Sequence, residues 1–347
     1  MKPKQRRPTH AFVYRAGIGL GGTQITCDAT GFPSDLIFLS HARALPPRGP
    51  AALTDARAGR RQIVTTEKTL QLLGVAGDKL RGRTLPAAFG RPFNLGGQRI
   101  EVVPTGYLPG AASLLCESEG RHLFYAGRFC PEPIVAGVEA FEVRRADAVC
   151  IDATFGDPQR VFPPRQQVVA QVRHFVQEAV GDHKTPVLLA SPFGALPALV
   201  IDLSQAGLAL RAHPRIAAVL TRLRSVCEGL PAVPRFTGKL APGDTLLWPP
   251  EARDNATLQL LPDLRLALVA GDATDPAILS RMRIDHGFAL TNMACFAEIL
   301  ATLEATGARE VALYHGAAET LAEVLSGRGY KAYALGPPRQ MTLPGSD

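Results

Sequence analysis

Residues 287–316, GFALTNMACFAEILATLEATGAREVALYHG, decide the fold class that this sequence predicts. The segment from Ala294 to Thr306 carries apolar side chains at helical spacing, and the short apolar run from Val311 to Tyr314 is typical of a buried strand. The remaining C-terminal residues repeat the pattern, with a predicted helix from Ala317 to Arg328 and a predicted strand from Lys331 to Leu335. Helices that alternate with strands form layered α/β structures, so we expect an α/β protein.

The middle of the chain also alternates between predicted helices and strands. The N-terminal half is instead a succession of short apolar runs bounded by glycine and proline, which predicts strands. After Pro164 the apolar spacing predicts three further helices and two strands, and the proline-rich stretch from Pro231 to Pro250 is predicted to be a connector. These helices span residues 166–179, 196–206 and 215–227, and the strands span residues 187–190 and 264–270.

Five of the predicted strands end in a polar cluster. In layered α/β proteins, functional sites gather where strand ends converge, so all five clusters are site candidates. They are Ser40-His41, Thr105-Gly106-Tyr107, Gly127-Arg128, Asp152-Ala153-Thr154 and His315-Gly316.

Composition limits the classes of partner. The chain has 347 residues, 46% of them hydrophobic, and a formal charge of +7. This charge favours an anionic partner such as nucleic acid over a membrane, although many soluble proteins are equally basic without binding one. The six cysteines form no CxxC pair, which is typical of reduced thiols in a cytoplasmic protein. No apolar stretch predicts a signal peptide or a membrane span.

In their order and sequence, the strand ends resemble the metallo-β-lactamase fold, specifically the β-CASP nucleases and most closely the bacterial ligase-associated DNA exonucleases. Residues 150–158, CIDATFGDP, match the acid-x-Thr-aromatic-Gly element of that family, and residues 105–115, TGYLPGAASLL, match its Gly-His-x-x-Gly-Ser element. Residues 123–129, LFYAGRF, match the strand that ends in Gly-Asp, and residues 287–316 match the Ser-Asp-His-Ala-Asp helix with its closing His-Gly.

The resemblance covers nearly the whole chain and implies a fold and a domain division. We expect a four-layered αββα sandwich formed by residues 1–160 and 284–347. A β-CASP-like α/β lobe would be inserted at residues 161–283. In the family, this fold carries a nuclease that uses two divalent metal ions.

Most of the metal ligands that the family uses are replaced in this sequence. The first ligand cluster, His-x-His-x-Asp-His in the family, is HARALP here and keeps only His41. Tyr107 stands at the Gly-His position and Arg128 at the position of the bridging aspartate, so only His41 and His315 match family ligand positions. Zinc needs three or four ligands in tight geometry, so we predict no metal-binding residues and expect no cofactor.

Two arginines at former ligand positions, Arg43 and Arg128, would also oppose a metal. A guanidinium does not ligate metals and stays charged. Two unit charges about 4 Å apart interact with roughly 4 kcal/mol at an effective dielectric near 20, and a dication about doubles the repulsion. Asp152 keeps the acid position of the family, but Met293 replaces the helix histidine that serves the family as a proton donor.

Two interpretations of the arginines stay open. In one, Arg43 and Arg128 join the two remaining histidines in a cationic pocket that binds phosphate, since arginine recognises phosphate bidentately. In the other, they pair with Asp152 and Asp28 in a structural ion-pair cluster, because buried charges need partners.

The leading functional hypothesis is a pseudonuclease that binds nucleic acid, or a nuclease or DNA ligase partner, in DNA or RNA processing. Basic residues outside the pocket would then contact phosphates: Arg6 and Arg7 of the N-terminal arm, which also holds Lys2 and Lys4, and the cluster Lys79, Arg81 and Arg83.

Two other hypotheses remain. The chain could be an active DNA or RNA exonuclease with a reduced metal site for zinc or manganese, or with none, in which His41, Asp152 and His315 act as acid–base groups. It could also be a scaffold subunit without affinity for nucleic acid.

Overall fold

A computed structural model describes residues 10–14, 17–28, 34, 36–46, 48–54, 61–135, 137–284 and 286–337. The basic arm with Arg6 and Arg7 lies outside these residues. Within them the chain forms three β-sheets and ten α-helices, which confirms the predicted α/β class. None of the described helices has the length and apolar character needed to cross a membrane.

The strands are β1 (Phe12–Tyr14), β2 (Ile18–Leu20), β3 (Ile25–Cys27), β4 (Leu36–Phe38), β5 (Gln62–Thr65), β6 (Thr84–Pro86), β7 (Phe93–Leu95), β8 (Gln98–Pro104), β9 (Ala112–Ser118), β10 (Arg121–Gly127), β11 (Ala148–Asp152), β12 (Thr185–Ala190), β13 (Ala209–Ala212), β14 (Asp244–Trp248), β15 (Leu264–Ala270), β16 (His286–Ala289), β17 (Glu310–Tyr314) and β18 (Lys331–Leu335). The helices are α1 (Ala51–Thr54), α2 (Glu67–Leu73), α3 (Val75–Leu80), α4 (Arg165–Gly181), α5 (Leu196–Gln205), α6 (Pro214–Arg224), α7 (Ala256–Gln259), α8 (Pro276–Met282), α9 (Phe296–Thr306) and α10 (Ala318–Gly327).

Two of the sheets pack face to face. The first has the order β1-β2-β3-β4-β5-β6 and the second the order β18-β17-β11-β10-β9-β8-β7. Successive strand residues point to opposite faces, so Phe38 and Val64 of the first sheet meet Leu114 and Cys150 of the second in one buried cluster. The two sheets therefore form a sandwich.

Helices cover the outer faces of this sandwich. On the first sheet, Ile63 points outward and belongs to the same cluster as Leu70 of α2 and Leu80 at the end of α3. On the second sheet, Leu303 of α9 and Leu321 of α10 pack on outward-facing residues. Within the described residues, the layers therefore follow the order helix, sheet, sheet, helix.

The third sheet has the order β13-β14-β12-β15-β16, and all of its strand pairs are parallel. Leu188 of β12 packs with α4, α5 and α6 on one face, while Leu189 packs with α7 and α8 on the other. Strand β16 belongs to this sheet, so the sheet extends beyond residue 283, where the predicted inserted lobe ends.

One segment that the sequence predicts as a connector contains a strand. The predicted connector from Pro231 to Pro250 contains β14, whose five residues are all buried. A strand covered by helices on both faces shows no polar alternation, and its neighbours Pro242, Gly243, Pro249 and Pro250 are typical of a loop. The pattern therefore hid a central strand.

Candidate functional site

Three of the five polar strand ends meet at one edge of the second sheet. Strands β10, β11 and β17 are parallel neighbours, and Asp152 is in register with Tyr314. Neighbouring parallel strands end at the same edge, so the residues at or just beyond the three ends lie side by side. They are Arg128, Asp152 and His315, and they form the floor of the site.

Asp152 is the centre of this floor. Its Oδ2 accepts hydrogen bonds from Arg128 Nε at 2.8 Å and from His315 Nδ1 at 2.9 Å. Its Oδ1 accepts from both the backbone N–H and the hydroxyl of Thr154. The side chain is 0% exposed. The Arg128–Asp152 ion pair expected under the structural interpretation is therefore present.

The electrostatics of Asp152 follow from these partners. Burial acts to raise the pKa of Asp152, but the hydrogen bond from His315 and the positive charge of Arg128 outweigh it and hold the pKa at about 2. Asp152 is therefore an anion at neutral pH and has no proton to give.

The backbone after β17 explains the His-Gly pair. His315 and Gly316 both have positive φ, at 63° and 47°. A Cβ at Gly316 would lie 2.4 Å from Thr154 Cα and 2.5 Å from Thr154 O. Only glycine permits this close approach, which holds the end of β17 against the end of β11 and places His315 over Asp152.

Asp28 lies across the cavity and does not pair with Arg43. Its Oδ1 accepts from the Ser40 backbone N–H at 2.8 Å, and its Oδ2 accepts from the Ser40 hydroxyl and from Tyr125 OH at 2.9 Å. Burial raises the pKa of Asp28 above its usual value, although these donors oppose the rise. The second ion pair of the structural interpretation is thus wrong, because Ser40 and Tyr125 already satisfy the carboxylate.

Arg43 contacts Tyr107 instead of Asp28. Its Nη1 donates to Tyr107 OH at 3.2 Å, and among the described residues it forms no ion pair. Tyr107 and Met293 share a small buried cluster with Leu108 and Ala111. Largely apolar side chains therefore fill this side of the site, and the Tyr107 hydroxyl is engaged by Arg43.

His41 is buried, at 5% exposure, with its ring edge-on to Tyr107 at a centroid distance of 5.1 Å. Burial and the charges of Arg128 and Arg43 lower its pKa to about 3, so the ring is neutral at physiological pH. Its Nδ1 has no hydrogen-bond partner among the described residues.

These side chains line a cavity of about 320 Å³. It brings together four predicted site residues, His41, Arg43, Arg128 and His315, on a polar side. Apolar and aromatic side chains also line it, among them Tyr14, Ile18, Leu45 and Pro46.

The donor set does not fit the metal pair that the resemblance implies. In the part of the chain that the structure describes, no three His, Cys, Asp or Glu side chains are grouped as metal ligands. All the oxygens of Asp152 are engaged, one of them by the guanidinium of Arg128. A metal at this carboxylate would have to displace a permanent cation, so we derive no chemical step through a metal.

The basic cluster Lys79, Arg81 and Arg83 lies outside this cavity, at the end of α3 and in the short 3-10 helix that follows. Arg81 pairs with Glu67, with 2.7 Å between Nη2 and Oε1, and also contacts Asp78. The sequence analysis proposed these residues as phosphate contacts outside the pocket, and in the structure they lie apart from the cavity lining.

Sequence reasoning missed the tyrosine pair beneath the cavity. The hydroxyls of Tyr125 and Tyr314 lie 2.8 Å apart, and Tyr125 links this pair to Asp28. The available signal was position, since Tyr125 lies two residues before Gly127 and Tyr314 directly precedes His315 at strand ends already selected as site candidates.

No family model matches the chain. A curated protein from Opitutus terrae described as a probable DNA ligase is 29% identical over 318 residues, which are 90% of this chain and 30% of that protein. The chain thus spans about 30% of the length of the curated relative it matches.

Proposed function

We propose that this chain is a catalytically silent, nuclease-like protein of the metallo-β-lactamase and β-CASP type that binds nucleic acid in DNA processing. The observation that carries the proposal is the Arg128–Asp152 ion pair, which places a guanidinium where the resemblance expects a bridging metal ligand. The helix, sheet, sheet, helix order and the five strand-end motifs support the fold assignment.

Hydrolysis by the usual route needs a metal-bound hydroxide. Here Arg128 opposes a metal, and every oxygen of Asp152 is already hydrogen-bonded. Tyr107 and Met293 pack together at the positions where the resemblance expects a ligand histidine and a proton-donor histidine. The site therefore lacks the groups that would generate and position the attacking hydroxide.

The case for DNA rests on charge and on the relative. The formal charge of +7 favours polyanions. The matched relative is described as a probable DNA ligase and is more than three times the length of the matched segment. A protein that resembles part of such a chain would act beside a DNA ligase, either fused to it or as a separate partner.

A binding titration tests the proposal. Labelled single-stranded and duplex DNA, with matching RNA, would be titrated with the chain at several salt concentrations. We expect binding whose logarithmic affinity falls linearly with the logarithm of salt concentration, because phosphate contacts release counterions. Weak binding that ignores salt for every nucleic acid would reject nucleic-acid binding and favour the scaffold hypothesis.

A cleavage assay separates binding from catalysis. End-labelled DNA and RNA would be incubated with the chain and Mn²⁺ or Zn²⁺, with His315→Ala as the matched variant. We expect no turnover above the variant. Cleavage that disappears in His315→Ala would establish the exonuclease alternative, in which Asp152 orients His315 through its Nδ1.

A further inference from the structure

We infer that the cavity is a binding site for one nucleoside monophosphate unit, either a free mononucleotide or the phosphorylated end of a nucleic-acid strand. Its phosphate would contact Arg43, Arg128 and His315, and its base would lie on Tyr14. The inference rests on the proposed function and deepens it, since it names the chemical group that the silent pocket recognises.

The polar side of the cavity has unused hydrogen-bond donors. Arg128 bonds Asp152 through Nε alone, and neither of its Nη groups has a partner among the described residues. Arg43 uses only Nη1, and His315 uses only Nδ1. An arginine whose terminal amino groups are unoccupied presents the planar fork that binds phosphate oxygens in pairs.

Beside the cavity, His41 has a buried nitrogen without a hydrogen-bond partner among the described residues. It lines the cavity, is 95% buried, and has an Nδ1 without any partner in the described part of the chain. Buried polar atoms in native structures are nearly always satisfied by protein, water or ligand. Because this atom is enclosed by the protein, a ligand in the cavity would reach it only after a movement of the His41 ring.

The apolar and aromatic part of the lining suits a nucleobase. Tyr14 is 37% exposed, and it lines the same cavity as Ile18, Leu45 and Pro46. Every base has an aromatic face that stacks on such a ring, whatever the sequence. A phosphate on the polar side and a base on this part of the lining together describe a nucleotide.

The size and charge of the cavity limit the ligand to one unit. A volume of about 320 Å³ lies at the lower end of small-molecule pockets and excludes a length of duplex. Two guanidiniums face the carboxylates of Asp28 and Asp152, so the cavity has little excess positive charge. That balance suits a single phosphate group rather than a diphosphate or triphosphate.

The test compares four probes by fluorescence anisotropy or calorimetry: one oligonucleotide with a 5′-phosphate, with a 3′-phosphate and with hydroxyl ends, and a free mononucleotide. We expect a phosphorylated end to bind about tenfold more tightly than the hydroxyl form, the gain of one charge-assisted phosphate contact. Binding of the free mononucleotide with equal affinity would identify the nucleotide itself as the ligand, whereas preference for one oligonucleotide end would identify a strand terminus.

Variants of the pocket make the test specific. Arg43→Ala is expected to abolish the phosphate preference. The matched control Arg48→Ala removes the same charge from an exposed residue outside the cavity lining and should retain the phosphate preference.

Two other variants test the rest of the lining. Asp28→Asn removes a carboxylate from the cavity lining and should tighten phosphate binding several-fold, because that carboxylate repels the negatively charged phosphate. Tyr14→Ala should weaken mononucleotide binding but leave binding of inorganic phosphate unchanged.

The outcomes separate the two proposals. The pocket assignment would be overturned if phosphorylated and hydroxyl ends bound with equal affinity, if Arg43→Ala did not change that affinity, and if the free mononucleotide did not bind. Nucleic-acid binding would then still stand. No affinity for any probe would overturn both. Phosphate preference that survives Arg43→Ala but not Lys79→Ala would place the contact on the exposed basic cluster and reject this cavity.

Discussion

Replacing Arg128 by methionine tests the ion pair on which the functional proposal depends. Methionine keeps most of the volume of the side chain but leaves the Asp152 carboxylate without its guanidinium. The pKa of Asp152 is about 2 in the folded chain and 3.8 in its ordinary state. Each pKa unit corresponds to about 1.4 kcal/mol, so the folded environment favours the carboxylate by about 2 kcal/mol.

The free energy of unfolding lost in Arg128→Met should be similar to this value or slightly greater. Removing one partner of a buried ion pair costs about 3–5 kcal/mol in favourable cases. The cost for this pair should lie at or below the lower end of that range, because Arg128 is 21% exposed and because His315 and Thr154 still donate hydrogen bonds to Asp152. We expect Arg128→Met to lower the free energy of unfolding by about 2–3 kcal/mol at pH 7.

The pH dependence gives the sign of the effect. Because the folded pKa of Asp152 lies below its unfolded value, its stabilisation is present above the unfolded pKa and is lost as the pH falls through about 2. In Arg128→Met the carboxyl takes up a proton at higher pH, which relieves the unpaired charge. The difference in stability between the two proteins should therefore narrow steadily as the pH falls from 7 toward 3.

Urea denaturation followed by circular dichroism at pH 7, 5 and 3 measures this difference. Arg81→Met is the control, since it removes a guanidinium from the exposed pair with Glu67 and should leave stability nearly unchanged. An Arg128→Met protein as stable as the unaltered chain at pH 7, or a deficit that is the same at all three pH values, would refute the structural ion pair.

Two further predictions concern the same edge of the sheet. Protein purified without a histidine tag should contain well under one zinc ion per chain when its metal content is measured by mass spectrometry. One tightly held zinc ion per chain would show that the side chains of the site do bind a metal. Gly316→Ala should lower the unfolding free energy by about 2 kcal/mol or more because its Cβ would overlap the Thr154 backbone. Gly327→Ala, at a helix position with nothing within 4 Å, should not destabilise, and thermal unfolding of the two variants compares them directly.

Much of the architecture could be predicted because local periodicity records burial. Strands β15 and β18 have the predicted bounds, and α9 and β17 differ from theirs by one or two residues. Each is a strand or helix with a regular apolar pattern and a clear end. Strand β14 was not predicted, because its five buried residues show no alternation and its proline and glycine neighbours are typical of a loop.

The floor of the site was partly predictable for a similar reason. Parallel strands bring their ends together, so Arg128, Asp152 and His315 could be grouped from the sequence alone. The hydrogen bond between Tyr125 and Asp28 could not be predicted from the sequence, because this contact depends on how the two sheets stack. Tyr125 comes from the second sheet and reaches Asp28 beside the first, 97 positions away in sequence. No local pattern records a contact between facing sheets.

The ion pair between Arg128 and Asp152 provides each group with a partner of opposite charge. Asp152 is fully enclosed and ionised, a state that needs a positive partner whether or not a metal is present. Arg128 supplies that partner without any metal ion. Arg128→Asp would therefore place two carboxylates together at this strand end. The chain would lose stability and gain no metal site, because no three His, Cys, Asp or Glu side chains of the described residues are grouped as metal ligands and the charge balance at this strand end depends on the guanidinium.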